Sequence, residues 1–219
     1  MSVKLSSTKS WVFIGIMATL GNVLSGLSIL SAPILPAVSL GPYSISLALD
    51  LSHLTTFIGS LYGGSSIGGL TGLIGGLVAA NEFGFSQGNI VTGFTLPLGK
   101  ALTGIAAGFL MRALGLQERS RRRVPFIAST LISYIPEAIF TVFIFLSIFP
   151  LVFGTLASAL YPIVASILIK ASIEMVAEGT VLLALSSNQG FVWMMKNFFS
   201  KKMTTETLRP EPEKEQKVF

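Results

Sequence analysis

The chain predicts an all-α integral membrane bundle of six transmembrane helices with cytoplasmic N- and C-termini, and three observations lead there. Of its 219 residues, 51% are hydrophobic and only 11% charged, whereas soluble domains carry roughly 25% charge. Mean hydropathy is +0.74. The apolar residues gather in runs close to the ~20 residues that a helical span requires. Lys and Arg gather in the N-terminal lead, in one loop and in the tail, as the positive-inside rule requires of cytoplasmic segments. The net charge of +5 is thereby accounted for by topology, and no nucleic-acid partner is needed.

Taken in order, residues 1–10 form a polar cytoplasmic lead with Lys4 and Lys9, and Trp11–Leu30 is the first span. This run exceeds the ~7–15 residues of a secretory signal and is read as a retained helix. Ser31–Ser44 holds Pro33, Pro36 and Pro42 and no charge. Proline lacks a backbone donor and resists helix interiors, so this segment reads as an extended loop at the membrane surface. It either covers a pocket or simply connects. Ile45–Tyr62 is the second span and Ile67–Ala80 the third, with Gly64, Gly68, Gly72 and Gly76 at four-residue spacing. That spacing lines one helix face with residues small enough for close backbone approach. Asn81–Thr92 is polar without Lys or Arg, Gly93–Leu114 is the fourth span, and Arg119, Arg121, Arg122 and Arg123 follow. Pro125–Ile148 is the fifth span, kinked at Pro136. Phe149–Thr155 is a tight connection and Leu156–Leu185 the sixth span. The membrane domain thus occupies 11–186. An amphipathic interfacial segment is expected over 187–202 and a disordered cytoplasmic tail over 203–219.

Ionisable residues inside the spans are the sharpest clue to function, because a charge at the bilayer centre costs on the order of 3 kcal/mol on insertion scales. They are Asp50, His53, Lys100, Glu137, Lys170, Glu174 and Glu178, and Asp50 and His53 are the chain's sole Asp and His. Asp50 and His53 share one helix face in the outer half of span two, and Lys100 lies about two turns below the outer surface. These three converge on a polar pocket open to the outside. Lys170, Glu174 and Glu178 form a column on span six, where Lys170 and Glu174 are either a structural ion pair or a ligand site. Glu178, nearer the cytoplasm, is expected to pair with a loop arginine. Glu137 follows Pro136, whose missing N–H frees a carbonyl for a polar cavity. Asn22, Asn89 and Tyr161 add uncharged hydrogen-bonding capacity.

The chain has no cysteine and one histidine, which excludes thiolate chemistry and a histidine metal cluster. Neither a metalloprotease nor a nucleotide-binding motif is present. The expectation is a non-enzyme without cofactor or bound metal, so energy for any active transport must come from an ion gradient or a partner.

Two stretches, ATLGNVLS in the first helix and LALDLSHLTTFIGSLYGGSSIGGLTGLIGGL after the proline-bearing loop, carry a family likeness. The chain resembles the substrate-binding S component of energy-coupling factor (ECF) vitamin transporters, in its riboflavin-type group. The resemblance covers Trp11–Leu185 in size and topology and is specific over about Leu47–Leu77. It implies a multi-pass cell-membrane protein that captures a water-soluble vitamin from outside. Such a protein docks a membrane T component and a cytoplasmic ATPase pair, then releases its substrate inside. It further implies a pocket formed by the loop after span one and by spans four to six, with Lys100, Lys170 and Tyr161 as contacts and Asp50 beneath the loop. His53, Asn89 and Glu174 complete the candidate set. A riboflavin-like substrate rests on Leu49-Asp50-Leu51-Ser52 alone. Partner docking is implied for small residues of the first helix, here Gly15, Ala18, Gly21 and Ser25, although Asn22 breaks the strict four-residue small spacing after Ala18. Two other classes stay open: a stand-alone ion-coupled secondary transporter, and a structural membrane protein whose buried charges are interhelical pairs.

Overall fold

The computed structural model describes residues 5, 7–35, 37–40, 43–46, 48–116 and 123–199. Lys4, Arg119, Arg121, Arg122 and the 203–219 tail lie outside them. The body is helical. Helix α1 spans Thr8–Ser31, and a two-stranded antiparallel hairpin, β1 Ala37–Leu40 and β2 Tyr43–Ser46, follows it. The proline-bearing segment is part turn, over 32–34, and part strand, and Pro36 and Pro42 lie outside the described residues. Helices α2 His53–Gly63, α3 Ser65–Gly75 and α4 Leu77–Phe83 come next, then α5 Ile90–Ala113. The chain continues through α6 Arg123–Ser133, α7 Ile135–Phe143, a π-helical turn Ile144–Ile148 and α8 Phe149–Phe153. It closes with α9 Ala157–Ser187 and α10 Gln189–Phe199.

Four of these passages are long and apolar enough to cross a bilayer: α1, α5, the α6–α8 run over Val124–Phe153, and α9. Helices α2 and α3 have 11 residues each, about 16 Å at 1.5 Å per residue, against a hydrocarbon core of about 30 Å. The second span read from the sequence, Ile45–Tyr62, is corrected accordingly. Its first residues are strand and coil, and Asp50 precedes the helix rather than lying within it. Phe149–Thr155 is corrected too, since helix runs through Phe153 and Gly154, at φ 65°, makes the turn. Pro136 divides the fifth passage at Tyr134, between α6 and α7. Helix α10 falls within the 187–202 segment, and its Phe198 and Phe199 pack on Phe13 of α1.

The glycine spacing is used as a zipper between α3 and α5. A Cβ on Gly72 would press into the Lys100 backbone, with its carbonyl carbon at 2.8 Å, and one on Gly76 would meet the Pro97 Cα at 2.9 Å. Gly104 approaches the Gly68 backbone and Gly108 approaches Ser65 in the same way. Successive small residues on α3 thus meet successive positions on α5 in antiparallel order, a contact driven by van der Waals packing. Gly64 acts through its backbone instead, because its φ of 88° turns the chain between α2 and α3, a conformation only glycine adopts freely. The Ser60 hydroxyl donates across the joint to the Gly104 carbonyl at 2.8 Å.

Asn22 of α1 repairs the break between α3 and α4. Its amide nitrogen donates to the Ile74 carbonyl and its oxygen accepts from the Val78 N–H, both at 2.9 Å. Replacing Asn22 with Leu leaves two part-buried backbone groups unmatched. A loss of about 1–3 kcal/mol is expected, measurable as a lower melting temperature in detergent.

Candidate functional site

The polar interior is assembled where the segment leading into α2 meets α1, α5, α7 and α9. Asp50 folds back on its own chain, its Oδ1 accepting from the Ser52 N–H at 3.0 Å, a local turn that short carboxylates favour. Its Oδ2 receives Lys100 Nζ from α5 and Ser25 Oγ from α1, each at 3.4 Å. Lys100 also donates to the Ser52 hydroxyl. The lysine stands near mid-length of α5 and is 4% exposed. Because Gly72 admits the Lys100 backbone so closely, the glycine zipper fixes where this ammonium can reach.

The Asp50 N–H donates to Glu174 Oε1 at 2.8 Å, and Lys170 approaches the same oxygen at 3.3 Å. Lys170 and Glu174 therefore form the i,i+4 pair that their spacing predicts, and Glu174 ties α9 to the Asp50 turn. Next to it, His53 Nε2 lies 3.0 Å from Glu137 Oε2, and Thr103 donates to that oxygen at 2.5 Å. Space for the Glu137 side chain comes from Gly99 of α5, where a Cβ would lie 3.1 Å from the Glu137 Cγ. Glu178, one turn beyond Glu174, is fully buried.

Asp50, His53, Lys100, Lys170 and Glu174 are thus brought together. Tyr161 and Asn89 are not among them. Tyr161 is 57% exposed and stands nine residues before Lys170, about 13 Å along the helix. Asn89 caps α5, its side chain accepting from the Thr92 N–H at 3.0 Å, the service asparagine commonly performs at a helix start. Of the small residues expected on the docking side of α1, Ala18, Gly21 and Ser25 are buried inside the protein. A Cβ on Gly21 would meet Thr55 and the Ser52 carbonyl, and Gly75 packs on Ala18. These residues are small because α2 and α3 lie against them, and Gly15 alone of the four faces outward.

Of the loop arginines expected to pair with Glu178, Arg119, Arg121 and Arg122 lie outside the described residues. Among the described residues, both of its carboxyl oxygens lack a hydrogen-bond partner. Sequence reasoning did not assign Ser52 or Thr103 to the site. The available signals were adjacency to Asp50 and the i+3 position from Lys100, both weak for hydroxyl residues in a helical chain.

The arrangement is therefore a cross-helix charge network. Its more open lysine is Lys170, whose side chain is 30% exposed, against 5% for that of Lys100. Of three possible donor hydrogens, Lys100 directs two at Asp50 and Ser52. The β2 strand packs against α9, the helix that carries Lys170. Among the described residues, no group of three or more metal-ligating side chains is disposed to hold a metal ion. Comparisons with family models, curated proteins and solved structures return no match.

Proposed function

We propose that this chain is the substrate-binding membrane subunit of an ECF-type importer. It captures a water-soluble, vitamin-like small molecule from outside, and partner subunits power the uptake. The observation that carries the reading is the convergence of Asp50, Lys100, Lys170 and Glu174 in an otherwise apolar body. Charges are costly in a membrane interior and are kept mainly where they bind, relay or pair. Lys170 is the principal ligand contact in this reading, because it retains donors and exposure that Lys100 has given up. Six passages, with α2 and the α3–α4 pair forming the two shorter ones, cytoplasmic termini and a cell-membrane location belong to the same proposal.

Docking to the T component would then use an outward side of α1, which carries Val12, Gly15, Ile16 and Val23, rather than the inward Ala18, Gly21 and Ser25. The test is a thermal-shift screen of water-soluble vitamins on detergent-purified protein, followed by co-expression with a T component and its ATPases. A vitamin that raises the melting temperature, together with capture of the ATPases, supports the reading. Gradient-driven uptake by the chain alone in liposomes favours the ion-coupled transporter instead.

A further inference from the structure

Each of three carboxylates in the network has its own basic partner: Asp50 has Lys100, Glu137 has His53 and Glu174 has Lys170. Glu178 has none among the described residues. It is 0% exposed, and both of its oxygens are without a hydrogen bond there. A donor that reaches toward it is the Leu54 N–H at the start of α2, which the carboxyl shares with the Leu51 carbonyl at 3.1 Å from that nitrogen. The charged groups near Glu178 are Asp50 before α2, Glu174 on its own helix and Lys100 on α5. His53, Glu137, Lys170 and the buried Tyr134, which faces Glu137 and Glu174, complete the cluster. Of Asp50, Glu174 and Lys100, two are negative, and Lys100 is held by Asp50 and Ser52.

A bare carboxylate in such a place has lost water and gained no cation of its own and no donor that is not already used, an unfavourable state for a buried acid. A proton removes the charge and needs no cavity and no access for a larger ligand. We propose that Glu178 is a proton-binding site, holding one proton in the folded protein at neutral pH because it is a buried carboxyl with no basic partner of its own among the described residues. The proposal does not rest on the import reading, since it concerns the charge state of the protein whatever it transports.

The test is infrared spectroscopy of the full chain in lipid nanodiscs at pH 7, reading the carbonyl band of protonated carboxylic acids and its shift in heavy water. Wild-type protein is expected to show one such band, moved by ¹³C-carboxyl labelling of glutamate and not of aspartate. The band should vanish in Glu178→Gln and persist in Glu174→Gln and Glu137→Gln. Should Glu178→Gln not fold, persistence in the other two variants, with the label assigning the band to glutamate, gives the same answer by elimination. Absence of the band from wild type, persistence in Glu178→Gln, or loss in Glu174→Gln or Glu137→Gln overturns the proposal.

Discussion

Replacing Lys100 with Met should cost about 3 kcal/mol or more of stability, the usual penalty for removing one member of a buried ion pair. Methionine keeps most of the side-chain length, so packing along α5 is largely preserved and the loss reports on charge. Asp50 then faces Ser25 and the Ser52 N–H with no cation, and Ser52 loses the donor to its hydroxyl. The second change that should recover much of this loss is Asp50→Asn, which removes the stranded charge and keeps an oxygen for the Ser52 N–H. A double-mutant cycle on melting temperature separates the pair from general damage, because only direct coupling makes the double variant more stable than Lys100→Met alone. Equal additive losses would mean that the 3.4 Å approach carries no net attraction.

The other large effect belongs to the glycine zipper. Gly104→Val should abolish folding or expel α5 from its place, because the new Cβ would run into the Gly68 backbone, with Gly69 N at 2.8 Å. Backbone cannot move aside as a side chain can, so the helices must separate. Separation also carries the Lys100 backbone away from Gly72, and the ammonium away from Asp50. Gly104→Ala should be milder yet still destabilising, and Gly15→Ala, with nothing within 4 Å of its Cβ, should leave the melting temperature unchanged. These three variants, followed by size-exclusion chromatography and thermal melting, distinguish helix contact from a general intolerance of larger side chains.

Much of this architecture was legible in the chain because its signals are local. Apolar run length located α1, α5, the α6–α8 run and α9. Four-residue spacing announced both the α3 packing face and the Lys170–Glu174 pair, and Pro136 announced a break. The start of α2 was not legible: Ile45–Leu49 is as apolar as a helix, and only tertiary pairing in the hairpin makes its first residues strand. The inward turn of Ala18, Gly21 and Ser25 was hidden for a related reason, since small residues suit an internal contact and an external one equally. Within the site, charged residues stood out against an apolar background. Ser52 and Thr103 did not, because hydroxyl residues are tolerated throughout helices by bonding to their own backbone, as Ser172 does to Leu168 and Thr95 to Val91. Glu178 was visible as a charge but not as an unpartnered one, which depends on the elements packed around it.

The most direct measurement is identification of bound small molecules by mass spectrometry, in wild-type protein and in Lys170→Ala purified side by side in mild detergent. A water-soluble small molecule should accompany the wild type at near one per chain and fall at least tenfold in Lys170→Ala, with the variant still folded and monodisperse. Glu174 Oε1 keeps the Asp50 N–H as a partner when the partly exposed lysine is removed, and the melting temperature of the variant checks its folding. A wild-type protein that carries no small molecule, or a Lys170→Ala protein that carries as much of it as wild type, would contradict the assignment of this network as the substrate site.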